Sequence, residues 1–331
     1  MHNNKNYPIS LQETLKAKHN VYNWLKPTPL IQYQGLSDLI GAQVYIKHEN
    51  HNPTGSFKIR GGVNLMAHLK KQGEKGVITF STGNHGISIA TAASWFDMQA
   101  VVVVPENNNP AKNRIIQETG AELIEAGSTF EEASRVVESL CQSRDLYYVH
   151  AANEPHLING VGTEFLEIID QQPDIEAVIV PVGAGSEAAA AITTLKTINP
   201  DIDIYAVQAE CSSAACKSWR EGTTLSSENS TFAGGFATGI AYEVPFNIYK
   251  NDLADFILLS EEEIYQGMAL ASYYTHNQVE GAGSASIMAA LKIKDRLAGK
   301  KVALQFSGCN ASPEELITTS QQPCFLNGQL E

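Results

Sequence analysis

The sequence predicts an α/β protein whose parallel sheets are covered by helices. Short β-rich runs alternate with helical segments along the chain, the order expected of β-α-β construction. The strongest runs, Val101-Val102-Val103-Val104 and Val178-Ile179-Val180, are apolar without alternation. Strands buried on both faces read that way. The composition supports a sizeable core, with 331 residues, 43% hydrophobic and 8% aromatic.

Taken in chain order, strands are expected at 43–47, 76–80, 99–104, 121–125, 177–182, 202–209 and 301–306. Helices are expected near 58–71, 84–96, 110–119, 129–143, 154–170, 185–197, 212–221, 261–276 and 282–297. Pro105 closes the valine strand, having no N–H for the ladder, and Pro110 stands where a first helical residue tolerates it. Ser260 followed by Glu263 has the spacing of a capping box, so a helix starts there. The stretch 222–250 is the least regular, rich in Gly, Ser, Thr and Asn, and the final residues read as a poorly ordered tail.

Lys and Arg total 23 against 36 Asp and Glu, a net charge of −13 that repels phosphate backbones. With no dense basic run, this argues against general nucleic-acid binding. No apolar stretch approaches the ~20 residues of a membrane span, and Met1-His2-Asn3-Asn4-Lys5-Asn6 lacks an apolar signal core. Cys141, Cys211, Cys216, Cys309 and Cys324 contain no CxxC and read as reduced thiols of a cytoplasmic protein.

Chemistry concentrates in four motifs. The first, Asn52-Pro53-Thr54-Gly55-Ser56-Phe57-Lys58-Ile59-Arg60-Gly61-Gly62, places Lys58 just inside a helix after a Pro/Gly turn. A lysine fixed there, its pKa lowered by burial or by the helix dipole, can form a Schiff base with a carbonyl cofactor. The plain alternative is a solvated helix lysine. The second, Ser81-Thr82-Gly83-Asn84-His85-Gly86, lies between a strand and a helix and gathers hydroxyls, an amide and helix-start N–H groups. That set suits a carboxylate or a flat polar ligand, and also an ordinary capped loop.

The third, Val180-Pro181-Val182-Gly183-Ala184-Gly185-Ser186-Glu187-Ala188, again runs from strand to helix and can cradle a phosphate. It also matches the Gly-x-Gly-x-x-Ala dinucleotide fingerprint, and the next strand is followed by the acidic Glu210, so a nicotinamide dehydrogenase competes on this motif alone. The fourth, Phe306-Ser307-Gly308-Cys309-Asn310, puts a neutral hydroxyl at the end of a strand.

Together the four motifs resemble the fold type II family of pyridoxal-phosphate (PLP) enzymes, in particular its threonine dehydratase and serine racemase branch. The likeness runs over about residues 20–318 and includes Val279-Glu280-Gly281-Ala282-Gly283. It implies two open, twisted, mostly parallel sheets of the tryptophan synthase β type. The larger domain would comprise 1–75 and 150–331 and the smaller, mobile one 76–149, with PLP between them. By the resemblance Lys58 would hold PLP and act as the catalytic base. Asn84 would bond the PLP 3′-oxygen, Gly183, Ala184, Gly185 and Ser186 would hold the phosphate, and Ser307 would face the pyridine nitrogen. Ser81, Thr82, Gly83 and His85 would lie near the substrate carboxylate, and Gly234, within Thr231–Gly239, near the substrate side chain.

The implied reaction is α,β-elimination from a β-hydroxy-α-amino acid, such as L-threonine or L-serine, to a 2-oxo acid and ammonia. A homodimer is the family expectation. Several departures matter. The phosphate loop of relatives is usually four glycines followed by Leu or Met, where this chain has Gly183-Ala184-Gly185-Ser186-Glu187. Racemases of the branch use a serine where Thr82 stands, as a second acid/base, so racemisation is the alternative activity. Some relatives bind a divalent cation through a Glu that falls here on Gln208, leaving a mono- or divalent cation site open. With so few residues after Asn310, the regulatory domain of biosynthetic threonine dehydratases is not expected. Phe232 and Phe236 either line an apolar pocket, which would admit phenylserine, or pack in the core. Hydroxyaspartate would need a further cation that the sequence does not identify.

Overall fold

The computed structural model describes residues 7–106, 108–127 and 130–330. The polar start at Met1–Asn6 and the first residue of the helix expected from 129 lie outside the described residues. The strands are β1 (Leu30–Gln32), β2 (Gln43–Lys47), β3 (Gly76–Phe80), β4 (Gln99–Val104), β5 (Glu122–Glu125), β6 (Tyr147–Tyr148), β7 (Ala177–Pro181), β8 (Asp203–Ala209), β9 (Asp255–Leu259) and β10 (Lys301–Gln305). They form two sheets, ordered β5-β4-β3-β6 and β1-β2-β10-β7-β8-β9. Their pairings are parallel except that of β1 with β2.

The chain divides into two compact units. The first comprises the described residues through Lys26 and Lys58–Thr163, and is built on the four-stranded sheet. It is wider than the span 76–149 expected for a small domain, because the helices Leu11–Val21 and Lys58–Gln72 and the first part of Pro155–Gln171 belong to it. The valine strand β4 shows why its sequence lacks alternation. Val101 and Val103 pack with Val137 of the helix Phe130–Arg144, while Val102 and Val104 pack with Ile87, Ala90 and Ile116. Helix Lys58–Gln72 contributes Ile59, Val63, Met66 and Leu69 to a core with Val77 and Ile89.

The second unit holds Pro27–Phe57 and the residues from Glu164 onward. One face of its sheet presents Ile46, Ile179, Val207, Leu259 and Leu304 to Ala282, Ala285, Met288 and Ala289 of helix Gly281–Lys292. Ser260 caps helix Glu261–Thr275 in the expected box, its hydroxyl accepting Glu263 N–H at 3.2 Å while Glu263 Oε2 accepts Ser260 N–H at 2.7 Å. Ser260→Ala removes one of these bonds and is expected to cost about 1 kcal/mol, read as a lower urea midpoint. An unchanged midpoint would count against this role of the cap.

Several elements escape the sequence reading. The last dozen residues, expected to be a poorly ordered tail, carry helix Cys324–Asn327, and helix Pro313–Ser320 precedes them. Cys324 is buried in the core, and Tyr274 Oη donates to Gly328 O at 3.0 Å. The irregular stretch 222–250 contains helix Glu243–Tyr249. The helix expected over 185–197 is α-helical at Ser186–Ala191 and then a π turn at Ile192–Lys196.

Candidate active site

The first and fourth motifs are two sides of one structure. Asn50 N donates to Phe306 O at 2.9 Å, Phe57 N to Ser307 O at 3.1 Å and Cys309 N to Gly55 O at 2.8 Å. Ser56 and Gly308 form an antiparallel bridge, and Asn310 Nδ2 donates to Thr54 O at 2.9 Å. Gly55 has φ +68°, in the left-handed region, and a Cβ there would come within 2.8 Å of Asn310 Oδ1. The turn before it is tied to buried Glu49, whose carboxylate accepts Asn52 Nδ2 at 2.7 Å and the Thr28 hydroxyl at 2.6 Å. Beneath it Lys47 Nζ pairs with Glu167 Oε2 at 2.6 Å. Ser307 is buried, and Phe57, which its carbonyl holds, is the residue before Lys58.

Lys58 opens its helix and is half-buried. The Gly61-Gly62 pair that follows has a packing role. A Cβ on Gly61 would meet Leu157 O at 2.8 Å, and one on Gly62 would meet Ser88 Oγ at 2.8 Å. Helix Lys58–Gln72 therefore lies close against helix Asn84–Trp95, which starts in the second motif. There Ser81 Oγ accepts Gly86 N–H at 2.9 Å and Gly83 N–H at 3.3 Å, satisfying an amide of the first turn of that helix, whose N-cap is Gly83. Thr82 is exposed, and Gly83 and Asn84 are half-buried.

His85 is buried. Thr79 Oγ1 donates to Val149 O at 2.9 Å, so its 3.0 Å contact with His85 Nε2 is one in which the ring N–H donates. Burial first, then the nearby charges of Lys58 and His150, push its pKa down to about 3. His85 is thus neutral at working pH and brings no positive charge to a carboxylate. Burial likewise lowers His48 to about 4 and His156 to about 3. Below the ordinary value of 6.5 the unfolded chain binds protons that these folded rings refuse, so this stability is lost as pH falls from 6.5 toward 3. The thermal midpoint is expected to be lower at pH 5 than at pH 8, and equal midpoints would contradict these assignments.

The third motif packs against the glycine-rich loop Thr231–Gly239. A Cβ on Gly183 would come 1.9 Å from Gly235 O, and Thr238 Oγ1 donates to Gly183 O at 3.3 Å. Gly185 has φ +90°, and Ala189 N donates to Gly185 O at 3.0 Å, so the amides before Ala189 stand ahead of the helical ladder, where N–H groups are available to an anion. A Cβ on Gly235 would meet Ala282 Cβ at 2.6 Å, and one on Gly283 would meet Gly308 O at 2.2 Å. Gly183–Ser186, Gly234–Gly235 and Ser307–Gly308 are therefore bound into one assembly through the start of helix Gly281–Lys292.

Of the two loop phenylalanines, Phe236 packs in the core, while Phe232 is partly buried and stacks on Tyr265. Glu261, in the first turn of helix Glu261–Thr275, bonds the same loop. That contact links positions 30 residues apart and has no local sequence signal. Gln208 is buried, and its Oε1 accepts Cys216 N–H at 3.2 Å. Among the described residues no three His, Cys, Asp or Glu converge as a metal site.

A lysine at a helix start and a glycine cradle ending in helix-start amides, on two largely parallel sheets, define a PLP-dependent enzyme of fold type II. The chain belongs to the pyridoxal-phosphate dependent enzyme family, whose model matches residues 21–308. It is 34% identical over 304 residues to the L-threonine ammonia-lyase of Thermotoga maritima, covering 91% of this chain and 76% of that one. It is 35% identical over 308 residues to the catabolic L-threonine dehydratase TdcB of Staphylococcus aureus, covering 91% and 89%. Among solved structures, maize serine racemase superposes with a TM-score of 0.90 at 25% identity, covering 95% of this chain and 97% of that one. The threonine deaminase of Solanum lycopersicum, in the processed form of its isoform 2, gives 0.87 at 28% identity, covering 96% and 95%. The residues present fit the cofactor, since a Cβ would fill the backbone cradle at Gly183 and Gly185, and Lys58 supplies the primary amine.

Proposed function

We propose that this protein is a PLP-dependent ammonia-lyase that converts L-threonine or L-serine to the corresponding 2-oxo acid and ammonia. The observation that carries the reading is the 34–35% identity, across 91% of the chain, to proteins named for that reaction on threonine. When bound, PLP supplies an electron sink for the pair left at the substrate Cα. Lys58 would anchor it, and the Lys58 Nζ would take the Cα proton as general base. Asn84 would bond the cofactor 3′-oxygen, and Gly183, Ala184, Gly185 and Ser186 would hold its phosphate. Ser307, a neutral hydroxyl rather than a carboxylate, would face the ring nitrogen and would not enforce its protonation.

Ser81, Thr82, Gly83 and neutral His85 meet the substrate carboxylate through hydroxyls and helix-start amides, and Gly234 leaves room for its side chain. Water is lost across Cα–Cβ, and hydrolysis of the resulting enamine gives the 2-oxo acid and ammonia. A homodimer in the cytoplasm completes the reading, with 76–149 as its mobile part. The five cysteines are free and, among the described residues, no helix is long and apolar enough to cross a membrane.

Serine racemisation is the second reading, favoured by the match to maize serine racemase at TM-score 0.90. Against it stands Thr82, whose β-branched side chain is restricted in rotamer where the racemases' serine is free. Incubation with L-threonine and with L-serine decides between them. A visible band that borohydride bleaches, with 2-oxobutyrate and pyruvate accumulating, supports the lyase. D-Serine forming faster than pyruvate would replace it with the racemase.

A further inference from the structure

The first turn of helix Glu261–Thr275 grips the loop that lies on the phosphate cradle. Glu261 Oε2 accepts Phe232 N–H at 2.9 Å, and Oε1 accepts the Thr231 hydroxyl at 2.8 Å and the Cys211 thiol at 3.0 Å. One turn further along the same helical face, the Tyr265 ring stacks on Phe232 with centroids 3.9 Å apart and planes 7° from parallel. The dipeptide Thr231-Phe232 is therefore held by its backbone, its hydroxyl and its ring.

The residues that follow are the ones that need holding. Gly234 and Gly235 are exposed, and glycine has the most conformational freedom to lose. Within the loop, Phe236 N donates to Ala233 O at 2.8 Å and Thr238 N to Phe236 O at 2.7 Å. Its far side is fixed by Ser212 Oγ, which donates to Phe236 O at 2.8 Å. Its near side is fixed by Glu261. Between these anchors Gly235 O stands where it would meet a Cβ on Gly183 at 1.9 Å, so the loop braces the cradle directly.

We infer that Glu261 is a positioning residue for the elimination, fixing through Thr231-Phe232 the Gly234-Gly235 backbone that faces the substrate side chain and braces Gly183. This rests on the lyase reading above. Its neighbour Glu262 shares the first helical turn and the same favourable charge at the helix start, but is exposed and distinct from the loop grip. Glu262→Ala therefore controls for any effect on the helix alone.

The test compares wild type, Glu261→Ala, Glu261→Gln and Glu262→Ala. For each holoenzyme KM and kcat are measured with L-threonine and L-serine, and for each apoprotein the PLP dissociation constant is measured by absorbance titration. Glu261→Ala is expected to raise the L-threonine KM about tenfold and the PLP dissociation constant about threefold, with kcat changed less than KM. Glu261→Gln falls between, because its amide oxygen still accepts Phe232 N–H. Glu262→Ala matches wild type. A Glu261→Ala protein whose KM and PLP dissociation constant match those of Glu262→Ala overturns the inference. Should Glu261→Ala not fold, Glu261→Gln carries the same comparison. If wild type turns over neither amino acid the lyase reading falls, and the PLP titration still decides whether Glu261 braces the cradle.

Discussion

Lys58→Ala is expected to abolish ammonia release from L-threonine, with kcat falling about a thousandfold or more, while the fold survives. The fold should survive because Lys58 is half-buried at the first position of its helix, where alanine is a good helix former. The helix is held by Ile59, Val63, Met66 and Leu69, and by the close approach of Gly61 to Leu157, none of which needs the lysine amine. Activity should not survive, because alanine brings neither the primary amine proposed to anchor the cofactor nor a base. His85 does not substitute for it: that ring is neutral with a pKa of about 3 and donates its Nε2 proton to Thr79, so it is a poor base. Lys58→Arg should not rescue the reaction, since a guanidinium remains protonated in proteins. The measurement is ammonia and 2-oxo acid formation beside the thermal midpoint. Near-wild-type ammonia release from Lys58→Ala would remove the proposed mechanism.

Much of this architecture is legible in the sequence where the cause is local. The unalternating valines of 101–104 mark a strand buried on both faces, and both faces are indeed covered. Ser260 and Glu263 mark a helix start, and the box is formed. The same Ser-x-x-Glu spacing stands at Ser10 and Ser312, whose hydroxyls accept Glu13 and Glu315 N–H, so the helices Leu11–Val21 and Pro313–Ser320 carried a readable signal. Strands β1 and β6, of 3 and 2 residues, are too short for any periodicity, and exist because a neighbouring strand pairs with them. In β9 the run Phe256-Ile257-Leu258-Leu259 suits a buried strand or helix alike, and its pairing with β8 decides.

The site divides in the same way. The glycines, hydroxyls and lysine of the proposed site are visible because the chemistry proposed for it calls for those residue types at loops beside strand ends. The bonds that hold those loops are not. Phe57 to Ser307 spans 250 residues of sequence, and Glu261 reaches back to Phe232 across a helix boundary. Only folding brings such partners together, so the supporting residues have no local pattern to find.

Gly183→Ala is expected to weaken PLP binding by roughly fivefold to 150-fold, the fold-change that about 1–3 kcal/mol of overpacking produces. The added methyl would sit 1.9 Å from Gly235 O, far inside contact distance, and the obstacle is backbone. Gly235 has little room to retreat, for its own Cβ position lies 2.6 Å from Ala282 Cβ at the start of a buried helix. The cradle itself must then move, and with it the amides that open helix Ser186–Ala191. Ala184 is the internal control. It is half-buried in the same loop and already carries a methyl, so Ala184→Gly should leave the PLP dissociation constant within about threefold of wild type, costing only the entropy of a freer loop. Titration of the two apoproteins with PLP separates shape from flexibility. If Gly183→Ala binds PLP as tightly as Ala184→Gly, the loop at 183–186 does not hold the phosphate, and the cofactor contacts proposed for it must be sought elsewhere.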